Sequence, residues 1–264
     1  MGEIGQGVRN PGRLIAMPAH LTLSGKRVLV TGAAGAIGQA CLGLFADLGA
    51  SIIATDANEK ALSQAMEGVI PRVRESSFKA LDVTQPRQVD AFAADVASRF
   101  GKLDGMVLGA GIYRPQIVST MSDQEWAEML SINLTGSFHF CRAFAPHLAA
   151  GSAIALIASI AGVRGSQGFA HYAASKAGLL GLMRSLALEL APYTRVNAIS
   201  PGPIEGPMIA PLVQKRGAEL VAKTPLGRLG IPLDVAHAAA FLISDWTAWM
   251  TGENLQLNGG AHMD

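Results

Sequence analysis

Short β-branched runs alternate with Ala-rich stretches of helical spacing along almost the whole chain from Leu21 onward. That alternation constrains the fold more than any other feature. Neighbouring parallel strands need a crossover of about a dozen residues, and a helix is the crossover that satisfies its own backbone. Runs such as Arg27-Val28-Leu29-Val30 and Ser51-Ile52-Ile53-Ala54-Thr55 lack a polar face, as strands covered on both sides do. Between them Ile37, Cys41, Leu44, Phe45 and Leu48 share one face of a helix over 36–48, with Gly49 as its C-terminal stop. The same reading places helices over 59–67, 86–100, 172–190 and 232–243. Another opens at the capping box Ser122-Asp123-Gln124-Glu125 and runs towards Leu148. Strands are expected near 77–81, 103–108, 153–158, 195–199 and 254–257. The expected architecture is α/β, a doubly wound parallel sheet with helices on both faces, in a single domain over 21–264. Residues 1–20 read as an N-terminal extension. Residues 200–229, rich in Pro and Gly, read as an irregular substrate loop.

The chain has 264 residues, enough for one large core. Half are apolar and 16% are charged, against roughly 25% charged in an average soluble domain. A disordered chain is excluded, and so sparse a charge suggests surface covered again in subunit contacts. The net charge of +1, without a basic stripe, argues against nucleic acid as a partner. No run of 18 apolar residues suggests a membrane span. The two cysteines, Cys41 and Cys141, have no metal-ligand spacing. They read as buried free thiols in a cytoplasmic protein with no metal site.

After the first strand comes Thr31-Gly32-Ala33-Ala34-Gly35-Ala36-Ile37-Gly38, which opens a helix. Glycine at 32, 35 and 38 permits a tight turn and close approach of backbone to a pyrophosphate. The helix start offers unpaired N–H groups and partial positive charge. The second strand ends at Asp56, whose carboxylate suits the ribose hydroxyls of NAD and would repel the extra phosphate of NADP; Ala34 and Ala57 supply no cation to reverse this. Asp82-Val83, after the third strand, is placed to meet the adenine, although Asp82 as a turn residue would look the same. Further on, Tyr172 and Lys176 stand four apart and share a helix face. An ammonium beside a phenol favours the phenolate, lowering a pKa that is about 10 in water. Such a tyrosine can exchange a proton with an alcohol or ketone. Ser159 ends a strand, where its hydroxyl can meet the substrate oxygen.

Together these residues resemble the short-chain dehydrogenase/reductase family in its short single-domain, Rossmann-like branch. The likeness covers about 21–260. It is carried by Thr31-Gly32, Gly35, Gly38, Asn133, Ser159, Tyr172-Ala173-Ala174-Ser175-Lys176 and Pro201-Gly202, with Tyr172 thirteen residues after Ser159. The resemblance implies that Tyr172 is the acid/base and that Ser159 orients the substrate oxygen. It implies that Lys176 binds the nicotinamide ribose, and that Asn133 interrupts its helix and holds a water linking Lys176 to solvent. It also implies that Gly109-Ala110-Gly111 and the segment from Pro201-Gly202 through Ile204 contact the cofactor, and that the assembly is a homotetramer. Three positions depart from the family's pattern. Gly109 stands where asparagine is usual, so its turn should loosen or find another partner. Gly206 stands where a carboxamide-binding threonine is common, and Asn258 where aspartate is common.

Ile160, Tyr113, Val163, Arg164 and Met208 are expected around the substrate, with Ile204, Ile209, Leu212 and Val213 giving the 200–229 loop an apolar stripe. The leading expectation is an NAD-dependent enzyme interconverting a secondary alcohol and a ketone. The alternatives are a 3-oxoacyl thioester reductase of fatty-acid metabolism, which a basic patch for a carrier protein would favour, and a dinucleotide-binding scaffold without turnover.

Overall fold

The structure, a computed structural model, describes residues 20–263. The expected N-terminal extension lies, but for His20, outside the described residues. Seven strands form one sheet in the order β3-β2-β1-β4-β5-β6-β7, every neighbouring pair parallel. They are β1 (Arg27–Thr31), β2 (Ser51–Asp56), β3 (Ser76–Ala80), β4 (Leu103–Leu108), β5 (Leu148–Ile157), β6 (Thr194–Pro201) and β7 (Asn254–Leu257). The helices are α1 (Ala36–Asp47), α2 (Glu59–Glu67), α3 (Pro86–Phe100), α4 (Asp123–Leu130), α5 (Gly136–Phe144), α6 (Ala161–Arg164), α7 (Ala170–Glu189), α8 (Ala210–Ala222) and α9 (Pro232–Ile243).

The strand side chains alternate between two cores. Val28 and Val30 of β1 join one with Cys41, Phe45, Val235 and Ala239, contributed by α1 and α9. Leu29, between them, joins the other with Phe92, Val96, Phe140 and Met183, from α3, α5 and α7. Both faces of the central strands are thus withdrawn from water, which is why β1 and β2 read as unbroken apolar runs; the edge strands β3 and β7 are only partly covered. Burying a side chain such as Val or Leu contributes about 1.5–3 kcal/mol. Cys41 and Cys141 are free and buried, and burial pushes both thiols up to about 12, away from thiolate chemistry.

The chain crosses between sheet faces where β1 lies between β2 and β4. A crevice opens there beyond the strands' carboxyl ends, the usual ligand position in such sheets.

Three expectations need correction. The helix from Ser122 does not continue to Leu148. It is α4, a π-helical turn over Ser131–Thr135, then α5, and Pro146 belongs to a short 3₁₀ turn that ends it. β5 begins at Leu148 rather than Ala153, because pairing with β4 at Leu103 recruits residues whose composition alone suggests a turn. The 200–229 region is not irregular throughout: Pro207–Ile209 turns into α8, with Pro tolerated in a first turn.

Candidate active site

The crevice is a cavity of about 920 Å³. Along one side runs the glycine-rich turn, with Gly32, Gly35, Ile37 and Gly38 all in the lining. Gly32 has φ +67°, and a Cβ there would stand 2.8 Å from the Ala110 nitrogen; a Cβ on Gly38 would overlap the Gly32 carbonyl oxygen. Glycine at these two positions lets α1 start directly on the turn. No side chain caps α1 at Gly35, and its first turn carries no acid. The N–H groups of that turn are therefore available to an anion, as a pyrophosphate requires.

Asp56 ends β2 beside this turn. One carboxylate oxygen accepts from the Ala34 N–H at 3.0 Å and the other from the Asn58 N–H at 3.0 Å. Asp56 does not itself line the cavity; Ala34, which it holds, does, and each oxygen keeps a lone pair for a further donor. Asp82, Val83 and Ala110 do not line the cavity in this structure. The Asp82 carboxylate accepts from the Thr84 N–H and hydroxyl at 2.9 and 2.8 Å, the turn role. Val83 is buried and its carbonyl accepts from His139 Nδ1 at 3.0 Å.

Gly109 and Gly111 do line it. The turn they belong to is not loose. The Thr31 hydroxyl oxygen, from β1, accepts from the Gly109 N–H at 3.1 Å and the Ala110 N–H at 3.2 Å. Asn133 is fully buried in the π-helical turn. Its Oδ1 accepts from the Ile112 N–H at 2.8 Å, and its Nδ2 donates to the Ile112 carbonyl at 3.0 Å and the Ser175 hydroxyl at 3.2 Å. The side chain that widens the helix thus ties the end of β4 to α7.

Ser159, Tyr172 and Lys176 meet in the same cavity. Ser159 follows β5, and its hydroxyl accepts from the Ala161 N–H at 3.1 Å. Lys176, buried on α7, donates from Nζ to the Ile157 carbonyl at 2.7 Å and stands 5.7 Å from the Tyr172 ring centroid. Lys176 was expected to favour the phenolate of Tyr172; in the chain without its dinucleotide, burial acts on the phenol in the opposite direction. Burial pushes Tyr172 up to about 12, with the Ser159 hydroxyl pulling it partly back and Tyr113 adding to the rise. Burial also brings Lys176 down to about 8. Desolvation disfavours charge on both groups.

On the substrate side, Ile160, Arg164, Ile204, Met208, Ile209 and Leu212 line the cavity; Val163 and Val213 do not. Pro201, Gly202 and Gly206 are in the lining too, and position 206 offers no side-chain group to a ligand. Asn258 Oδ1 accepts from the Gly260 and His262 N–H groups at 3.0 and 3.2 Å, so a carboxamide oxygen serves as acceptor at that departure. Tyr113 reaches the site, stacked on Phe169. Phe169 and Arg216 also line the site; the sequence offered Arg216 only as one of the few basic residues, with Arg164 and Lys215, that a carrier-protein patch could use. Phe169 stands three residues before Tyr172, the helical spacing that could have found it. Among the described residues no group of His, Cys, Asp and Glu could hold a metal, and no helix is long and apolar enough to cross a membrane.

The chain is similar to known proteins along nearly its whole length. A family described as enoyl-(acyl carrier protein) reductase matches residues 32–262. The 3-oxoacyl-(acyl-carrier-protein) reductase FabG of Escherichia coli strain K12 is 37% identical over 246 residues, 92% of this chain and 100% of its own length. That of Thermotoga maritima is 35% identical over 243 residues, 91% of this chain and 99% of its own length. Among solved structures, a short-chain dehydrogenase/reductase of the glucose/ribitol dehydrogenase type from Brucella melitensis superposes with TM-score 0.87. It is 37% identical and covers 91% of this chain and 98% of its own.

Proposed function

The chain belongs to the short-chain dehydrogenase/reductase family, and from that premise we propose that it reduces the 3-carbonyl of a 3-oxoacyl thioester to the alcohol, with NADH as hydride donor. The observation that carries this reading is one cavity uniting the open helix N-terminus of α1 with Ser159, Tyr172 and Lys176. The names of relatives 35–37% identical over nine-tenths of the chain narrow a general alcohol–ketone exchange to this substrate class.

Bound along the glycine turn, Asp56, Lys176 and the Pro201–Ile204 segment, the dinucleotide would supply the hydride. The chain's own groups do the rest. Ser159 donates to the carbonyl oxygen and fixes its place. Tyr172, fully protonated at neutral pH because burial holds it near 12, hands that oxygen its proton. The Lys176 ammonium then stabilises the phenolate left behind, and Asn133 fixes the helix break that sets α7 against β4. A scaffold without turnover would have no use for this set.

The test is the loss of reduced-nicotinamide absorbance when purified protein meets NADH and the N-acetylcysteamine thioester of 3-oxobutanoate. Turnover yielding the 3-hydroxy thioester is expected. Turnover confined to simple ketones would return the reading to a general NAD-linked alcohol dehydrogenase.

The homotetramer is part of the same proposal. It is supported by large apolar side chains left in water in the single chain: Trp249 is 99% exposed, Leu188 83% and Leu226 72%. Subunit contacts would withdraw such side chains from water. Light scattering at micromolar concentration is expected to give four chains, and a monomer would refute it.

A further inference from the structure

The substrate end of the cavity has one rigid wall. Tyr113 and Phe169 stack with ring centroids 4.2 Å apart and planes 8° from parallel. Tyr113 also meets the Tyr172 ring at 4.8 Å and 82°, edge to face. Phe169 caps α7 three residues ahead of Tyr172, so both rings leave the same end of the same helix. The loop carrying Tyr113 is pinned to the loop carrying Phe169 by a parallel bridge between Gln116 and Phe169, in which the Gln116 N–H donates to the Gly168 carbonyl at 2.8 Å. The stack is thus tied through the backbone to the helix end that holds Tyr172.

Another part of the lining is of a different kind. Met208, Ile209, Leu212 and Leu220 come from α8 and the turn before it. Met208 is largely exposed, and α8 is interrupted at Arg216, where the backbone leaves helical angles. An unbranched thioether and a broken helix adapt to different shapes; two stacked rings do not.

We propose that Tyr113 is a specificity-determining residue. With Phe169 it forms a fixed wall beside the carbonyl held at Tyr172, admits only a small substituent on that side, and leaves the long substituent to the α8 side. This rests on the ketone-reductase reading above and deepens it. The preferred substrate is a 3-oxobutanoyl-type thioester or another methyl ketone, with the methyl group against the wall and the thioester arm under α8.

Two isomeric ketones test this without any thioester. Octan-2-one presents a methyl group to the wall, octan-4-one at best a propyl. The native enzyme is expected to favour octan-2-one at least roughly tenfold in kcat/KM, the discrimination available from two methylenes against a rigid surface. Tyr113→Ala should bring the two within about threefold by raising the rate on octan-4-one. Tyr113→Phe, which keeps the ring, should keep the native ratio. Tyr113→Leu serves the same comparison if Tyr113→Ala does not fold. A native enzyme indifferent to the isomer, or a truncated variant with the native ratio, overturns the proposal. Reduction of octanones without reduction of 3-oxoacyl thioesters would overturn only the thioester reading. If neither octanone reacts, calorimetric Kd values for octan-2-ol and octan-4-ol in the presence of NAD read the same selectivity, and equal values overturn it.

Discussion

Tyr172→Phe is expected to fold, to bind the dinucleotide and to lose turnover by roughly 10²–10⁴-fold, the loss typical of a missing general acid. The ring keeps its packing between Tyr113 and Lys176, and only the group that hands over the proton is gone. Lys176→Ala should lower turnover too and weaken dinucleotide binding. The double variant should be little worse than the worse single one, because the two groups act as a unit. The pH dependence has a sign. Reduction consumes the protonated phenol, and at about 12 that form persists through neutrality. The ammonium that receives the nascent phenolate is held near 8, so the reduction rate should hold below that pH and fall as pH rises through it. Stopped-flow rates across the pH range check this. Near-native turnover in Tyr172→Phe with native dinucleotide affinity would mean that the proton travels by another route.

Exchange of NADH for NADPH is expected to cost the enzyme a large factor in kcat/KM, and Asp56→Asn should remove most of it. The carboxylate beside Ala34 already accepts two backbone N–H bonds and keeps lone pairs and charge for further donors, which is the role proposed for it towards ribose hydroxyls. A hydrogen bond to a charged group is worth about 1.5–3 kcal/mol, so loss of the charge should weaken use of NADH roughly ten- to a hundredfold. Use of NADPH should improve, since the repulsion of its phosphate goes with the charge. Asparagine keeps only one of the two acceptors that the turn uses, so a melting temperature close to the native one is needed to separate the loss of charge from a collapse of the loop. Steady-state kinetics with both cofactors decide the matter, and equal use of the two by the native enzyme would overturn the assignment of Asp56.

The layered architecture and most of the site were legible because their signals are local. Strand runs and helical spacing report burial on one or two faces, whatever the burial is against. Glycine at 32 and 38 reports a steric demand of one turn, and the four-residue step from Tyr172 to Lys176 reports one helix face. Ser159, Tyr172 and Lys176 line one cavity; the four-residue step accounts for Tyr172 and Lys176, and the end of β5 for Ser159.

What remained hidden depends on residues far apart in the chain. The helix after Ser122 breaks because Asn133 bonds the backbone of Ile112, twenty-one residues earlier. The turn at Gly109 is held by a hydroxyl on another strand, Thr31. Position 113 becomes a wall only when α7 brings Phe169 against it. The phenol of Tyr172 shows the limit most clearly. Sequence places a lysine beside it and so dictates a neighbouring charge. The level at which the phenol sits is decided by how much water the folded chain excludes from both groups, a sum over their whole surroundings that no stretch of sequence contains.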